Sequence, residues 1–290
     1  MRRLVRFSLA TMILCVPFQV AAQTRGPSNG SLVIVGGAMR DPGIMQRFLD
    51  LAGGPDAPIV VIPTAGGADE YDQFYQGLNA WRDQGATNLT VLHTKDRSQA
   101  ESDEFVRAIR EASGVWFPGG RQWHLADSYL DTQTERELHN LLDRGGVIGG
   151  SSAGATIQGS YLVRGDTRGN ELMMGDHVEG FGFLTNSAID QHLLKRNRQF
   201  DLVEVIQAHP ELLGIGIDEN TAIVVIGDQF EVIGASYALI FDHGSTVGDS
   251  GKFYFLAPGD RYNMAARQAT RSAQVQSPVA NVRKKPWGGR

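Results

Sequence analysis

Seven residues, Gly149-Gly150-Ser151-Ser152-Ala153-Gly154-Ala155, follow the short apolar run Gly146-Val147-Ile148 and precede a stretch able to start a helix. A chain that passes from a buried strand into a helix across Gly150-x-Ser152-x-Gly154 must turn sharply. Glycines on both sides of the serine remove Cβ atoms that would collide in so tight a turn, which lifts the hydroxyl clear of the sheet. The first amides of the following helix converge on the same spot and can stabilise an oxyanion. An ordinary glycine-rich strand-to-helix turn has the same composition, so the rest of the chain must supply partners for Ser152.

The apolar runs on either side fix the kind of sheet. Ser31-Leu32-Val33-Ile34-Val35 ends at Gly36-Gly37, and Ile59-Val60-Val61-Ile62 ends at Pro63-Thr64-Ala65-Gly66-Gly67. Leu89-Thr90-Val91-Leu92 and Gly114-Val115-Trp116-Phe117 follow, the latter closed by Pro118-Gly119-Gly120. Between them lie stretches with helical spacing: Ile44 to Leu51; Tyr71, Phe74, Leu78 and Trp81; Phe105, Val106, Ile109 and Ala112; and Leu138, Leu141 and Leu142 before Gly145-Gly146. Repeated βα units with nearly continuous apolar strands predict an α/β fold, a mostly parallel sheet with helices on both faces and function at the carboxyl ends of the strands. None of the glycine pairs extends into a phosphate-binding loop or a dinucleotide fingerprint.

Beyond Ser160 the pattern is β-rich, with Ala222-Ile223-Val224-Val225-Ile226, Phe230-Glu231-Val232-Ile233 and Tyr237-Ala238-Leu239-Ile240-Phe241 as strands that complete the sheet or add a small one. No Pro/Ser-rich linker separates the halves, which predicts one domain over residues 23–265. From about Ala265 the chain is polar, basic and without periodicity, and residues 266–290 read as a disordered tail.

At the other end, Arg2 and Arg3 precede a mostly apolar Leu9 to Val20, and Val20-Ala21-Ala22 offers small residues before Gln23. Residues 1–22 read as a signal peptide, so export to the periplasm or medium is expected, without stable membrane insertion. Cys15 is the only cysteine, and cleavage after Ala22 would leave none. Disulfides, thiolate zinc sites and cysteine nucleophiles drop out together, leaving hydroxyl chemistry as the covalent option. A net charge of -5 gives no electrostatic case for nucleic acid.

A serine nucleophile needs a base and a group to orient it. His93, His124, His139 and His177 lie in loop or exposed helical contexts, and His209 precedes Pro210 as a turn residue. Two candidates remain. His192 lies in the polar, cationic Asp190-Gln191-His192-Leu193-Leu194-Lys195-Arg196-Asn197-Arg198, and His243 lies just after a strand. The acids come from Gly216-Ile217-Asp218-Glu219, where adjacent carboxylates on extended backbone point to opposite sides. Asp218 with His243 gives the order Ser, Asp, His of an α/β-hydrolase; Glu219 with His192 gives Ser, His, Glu. The residues themselves do not choose.

Taken together, Gly149 to Ala155, Asp190-Gln191-His192, Arg196-x-Arg198 and Gly216-Ile217-Asp218-Glu219 resemble the cyanophycinase and dipeptidase E family of serine peptidases, whose fold is like that of class I glutamine amidotransferases. The likeness runs from about Leu32 to Phe241. It implies Ser152 as nucleophile, His192 as base, Glu219 as the orienting acid, and the amides of Gly120 and Ala153 as the oxyanion hole. It implies that Gln122, Asp190, Gln191, Arg196 and Arg198 surround the substrate, a peptide or the aspartyl-arginine unit of cyanophycin. No cofactor or metal is required, and homodimers are expected.

One position departs from that pattern. Enzymes that cleave cyanophycin carry a third arginine before the leucine that ends the motif, where this chain has Asp201 before Leu202. An acid there would repel a substrate carboxylate or attract a basic group. Leu193 also stands where phenylalanine is usual. A generic secreted esterase built on His243, a metal hydrolase recruiting Asp190 and His192, and a non-catalytic binding module are the competing expectations.

Overall fold

A computed structural model describes residues 23–244 and 253–273. The leader at 1–22 and the tail beyond residue 273 lie outside the described residues. Strands β1 (Ser31–Val35), β2 (Ile59–Val61), β3 (Leu89–Val91), β4 (Gly114–Phe117) and β5 (Val147–Ser151) form the parallel part of a nine-stranded sheet. Between and after them come α1 (Pro42–Ala52), α2 (Asn79–Asp83), α3 (Arg97–Ala100), α4 (Asp103–Glu111), α5 (Gln122–Tyr129), α6 (Gln133–Asp143) and α7 (Ala153–Thr156). The strand carrying Ser152 is central: β5 pairs in parallel with β1, Val35 opposite Ser151, and with β4, Phe117 opposite Gly150.

Both faces of this sheet are covered, which is why its strands are apolar at successive positions. Along β1, Leu32 and Ile34 face a core shared with Leu125, Tyr129, Leu138 and Leu141, while Val33 and Val35 face Ile44, Phe48 and Leu49 of α1. Helix α1 begins where Asp41 accepts from the Gly43 amide at 2.8 Å and Pro42 opens the first turn, and it stops at Gly53 in a left-handed conformation. Phe48 packs on Trp81 and Trp116 with ring centroids 5.2 Å away in each case.

The β-rich half both completes the first sheet and builds a second. β9 (Thr221–Ile226) pairs antiparallel with β1, followed outward by β10 (Gln229–Gly234), β13 (Arg261–Asn263) and β14 (Gln268–Thr270). The second sheet has the order β12-β11-β8-β7-β6, from β6 (Gly159–Tyr161), β7 (Leu184–Gln191), β8 (Leu213–Ile217), β11 (Ala238–Phe241) and β12 (Tyr254–Leu256). Ile189, Ile215 and Ile240 join the main core. On the opposite side Ala188 and Leu239 pack with Leu202, Val205 and Ile206 of α8 (Asp201–Ala208).

Two expectations need correcting. The helix read from Tyr71 starts only near Gln76, because the Gln73 side chain binds both backbone groups of Val91, at 2.8 and 2.9 Å, and so borders β3 as a further strand would. The ordered chain also runs past Ala265. The polar β14 is fixed to β13, and Arg271 beyond it pairs with Asp260 at 2.8 Å. Replacement of Phe48 by alanine should lower unfolding free energy by about 3–5 kcal/mol, measured by urea denaturation, since the ring is fully buried between the two tryptophans.

Candidate active site

Ser152 follows the last residue of β5 with φ 58 and ψ -112, a conformation that non-glycine residues rarely adopt. Its amide donates to Val35 O at 3.0 Å, and its carbonyl accepts from Ala155 and Thr156, so strand and helix hold the turn from both sides. The turn also depends on Gly154, where a Cβ would collide with the Phe117 carbonyl oxygen. The end of β4 lies over the hydroxyl: a Cβ on Gly119 would stand 3.7 Å from Ser152 Oγ. Gly120 follows it, and Ala153 is the first residue of α7.

The base and the acid come from the second sheet, by register. β7 and β8 run parallel with Gln191 opposite Ile217, so the residues just beyond their carboxyl ends, His192 and Asp218-Glu219, emerge side by side. The chain then crosses through Asn220 into β9 and joins the first sheet beside β1. His192 Nδ1 lies 2.7 Å from Glu219 Oε1, and Nε2 lies 3.0 Å from Ser152 Oγ. His192 and Asn220 both have positive φ, 53 in each case. The bends are anchored to the glycines after β1: His192 N donates to Gly36 O at 2.7 Å and Asn220 N to Gly37 O at 2.8 Å.

The other candidates are engaged elsewhere. Asp218 accepts from the amides of Leu194 and Lys195 and from the Ser236 hydroxyl at 2.7 Å, clamping the loop after His192. His243 is exposed beyond β11. His93 binds Thr64, His124 the Ala65 carbonyl, His139 the Phe181 carbonyl, and His177 lies between Asp127 and Asp176. Among the described residues no group of three or more histidine, cysteine or acidic side chains is placed to hold a metal ion.

Around this row the pocket residues divide. Arg196 is exposed and Arg198 buried, and neither has a carboxylate partner among the described residues; Arg198 Nη1 donates to Gln191 O at 3.3 Å. Gln191 Oε1 is buried and unpaired among the described residues. Gln122 and Asp190 differ from expectation. The Gln122 amide group donates to Val163 O and Arg164 O, at 2.9 and 2.8 Å, tying α5 to the strap that follows β6. The Asp190 carboxylate is fully buried against the Arg164 guanidinium, at 2.8 and 3.1 Å, and also accepts from Gln191 N. It meets the site through its neighbour. Arg164 was not legible in the sequence, where it is a lone cation in Val163-Arg164-Gly165.

Burial pushes the His192 imidazole below its ordinary pKa; Glu219 pulls it up, but Arg196 and Arg198 add to the depression. A ring kept neutral in this way, bonded through one nitrogen to a carboxylate and through the other to a hydroxyl, can take a proton from that hydroxyl. An α/β fold with a serine raised on such an elbow beside a histidine and a glutamate defines the class of serine-type hydrolases. The sequence model of peptidase family S51 matches residues 32–233. The chain belongs to that family and is a serine-type peptidase. It is 31% identical over 266 residues to a cyanophycinase of Geminocystis herdmanii, covering 83% of this chain and 96% of that one. It is 29% identical over 279 residues to one of Synechococcus elongatus, covering 89% and 86%. The solved structure of a peptidase from an acI-B1 actinobacterium superposes with a TM-score of 0.63, at 24% identity and with 82% and 98% of the two chains covered, a likeness of fold.

Two outcomes follow. Gly37→Ala should abolish most activity in a folded protein, because the new Cβ would overlap the His192 ring; hydrolysis assays beside circular dichroism check it. The acid limb of kcat/KM should lie below the ordinary imidazole range and move to higher pH in Arg196→Ala, since removing a neighbouring positive charge eases protonation of His192.

Proposed function

We propose that the protein is an exported, cyanophycinase-like peptidase that hydrolyses β-aspartyl isopeptide bonds, with cyanophycin as candidate substrate and β-Asp-Arg dipeptides as products. The observation that carries this reading is the continuous row Ser152 Oγ, His192 and Glu219, with 3.0 and 2.7 Å between successive partners. The cyanophycinases among its relatives support the substrate class, and the apolar leader supports export.

In this mechanism His192 Nε2 takes the Ser152 proton as Oγ attacks the carbonyl carbon. The charge that develops on the carbonyl oxygen faces the amides of Gly120 and Ala153. Collapse of the tetrahedral species breaks the C–N bond, and His192 returns its proton to the departing amine, leaving an ester on Ser152. Water, deprotonated by the same imidazole, attacks that ester and releases a carboxylic acid and the free hydroxyl. Glu219 holds the ring by Nδ1 and stabilises its charged form. Arg196, Arg198 and the Gln191 oxygen left unpaired among the described residues bind the substrate beside the reacting bond.

The test is hydrolysis of insoluble cyanophycin and of simple β-aspartyl dipeptides by the chain from Gln23 onward. Ser152→Ala and His192→Ala should each lower kcat by about 10³-fold or more and Glu219→Gln by about 10²-fold or more, while His243→Ala leaves it unchanged. Asp201 favours one neighbouring reading, a sister peptidase acting on other aspartyl or short peptides; cleavage of the dipeptides but not the polymer would establish it. Full activity in His192→Ala would reject the mechanism.

A further inference from the structure

Arg164 is the largest fully buried side chain among the described residues, and it belongs to none of the elements that carry Ser152, His192 or Glu219. It stands in the strap after β6, held by its amide on Met173 O at 3.0 Å. Its Nε and Nη2 reach Asp190, Nη2 also meets the Asp201 carboxylate, and Nη1 donates to Asn170 O at 3.0 Å. Burying a guanidinium is costly unless its donors are answered, and here three different segments answer them.

The two carboxylates are the two ends of one segment. Asp190 is the penultimate residue of β7 and Asp201 the first of α8, so a single guanidinium closes the loop that carries Gln191, His192, Arg196 and Arg198. Arg198 lies close enough to be affected by both Arg164 and Asp190, yet its one described hydrogen bond is to a backbone carbonyl. The buried carboxylate that would otherwise capture it already has a cation.

Resting on the reading of the site given above, we infer that Arg164 is a positioning residue for substrate binding. By engaging Asp190 and Asp201 it fixes the 191–200 loop and leaves Arg198 to hold a carboxylate of the substrate. Asp201 is therefore engaged by a cation of the protein and is not free to select a basic group. Arg164 is itself buried, with its donors spent on Asp190, Asp201 and Asn170 O, so the acidic substrate group is read by Arg198 despite the reversed charge at 201.

The experiment measures binding of a β-aspartyl dipeptide, and of the same dipeptide with its carboxylates amidated, to Ser152→Ala protein by calorimetry. It is paired with the rate at which otherwise wild-type protein is labelled at Ser152 by a small fluorophosphonate. The acid should bind at least about tenfold more tightly than the amide. Arg164→Met should erase that preference and slow labelling as well, because the loop that it closes carries His192 along with Arg198. Adding Asp201→Arg to Arg164→Met returns a guanidinium to the same place from α8 and should restore both folding and the preference. Equal binding of acid and amide, absence of binding by either, an Arg164→Met protein that keeps the preference, or a folded double variant that does not regain it would each overturn the inference. Carboxylate-dependent binding that follows this pattern in a protein whose native form cleaves neither dipeptide nor polymer would uphold it and sink the proposed reaction instead.

Discussion

The parallel register of β7 against β8 is the constraint on which the site depends. With Gln191 opposite Ile217, the residues leaving the two strands are side by side, and the 2.7 Å contact between His192 and Glu219 follows. A slip of one residue would reverse the faces of one strand and send either the imidazole or the carboxylate into the apolar layer. Register is held by the alternation on both sides of the sheet. Ala188 and Leu239 pack with α8, while Ile189, Ile215 and Ile240 pack into the main core. Burial of ordinary aliphatic side chains thus sets the distance between two polar ones.

Bringing that pair to Ser152 requires the two sheets to meet, and the chain does this by crossing through Asn220 into β9. Asn220 Oδ1 accepts from the amides of Arg40 and Asp41, each at 2.7 Å, and its own amide binds Gly37. The crossover is therefore fixed to the end of β1, which neighbours β5. Ser152, His192 and Asn220 all hold positive φ at this junction. Strain of that kind persists only where surrounding bonds over-determine the backbone, and each of the three has an amide engaged with a carbonyl of the β1 strand or of the two glycines after it.

The features legible in the sequence are those governed by local rules. The elbow is readable because Gly150 is demanded by its own turn, where a Cβ would meet the Gly154 backbone, and β1, β2, β4 and β5 because both of their faces are buried. β7 was not readable: Leu184-Thr185-Asn186-Ser187 mixes polar and apolar residues without a clean period, since Thr185 and Asn186 reach solvent while Leu184 and the residues from Ser187 onward are buried. Gly37 gave no specific signal because its requirement is the imidazole of a residue far along the chain. The choice between His192 and His243 failed from composition for the same reason. What separates them is the strand each follows and what those strands pair with. Asp218 was a plausible acid by its neighbours, yet its carboxylate answers the Leu194 and Lys195 amides, a loop-closing duty that sequence adjacency does not reveal.

Charge in the site is ordered by depth. At the deepest level Asp190 and Arg164 neutralise each other with almost no solvent contact, which makes them weak contributors to net stability but strict about geometry, since either one alone would be a buried, uncompensated charge. Above them Arg198 is buried without a carboxylate partner among the described residues, and burial together with the Arg164 charge lowers its proton affinity. Outermost, Arg196 is exposed and screened by water. Positive charge is thus compensated at Arg164, buried without a carboxylate partner among the described residues at Arg198, and hydrated at Arg196. For the proposed substrate, an anionic group would bind best at the desolvated cation, where a charged hydrogen bond is strongest. The same cations depress the His192 pKa, so the arrangement that would hold an acidic substrate also keeps the imidazole in the neutral form that can accept the serine proton.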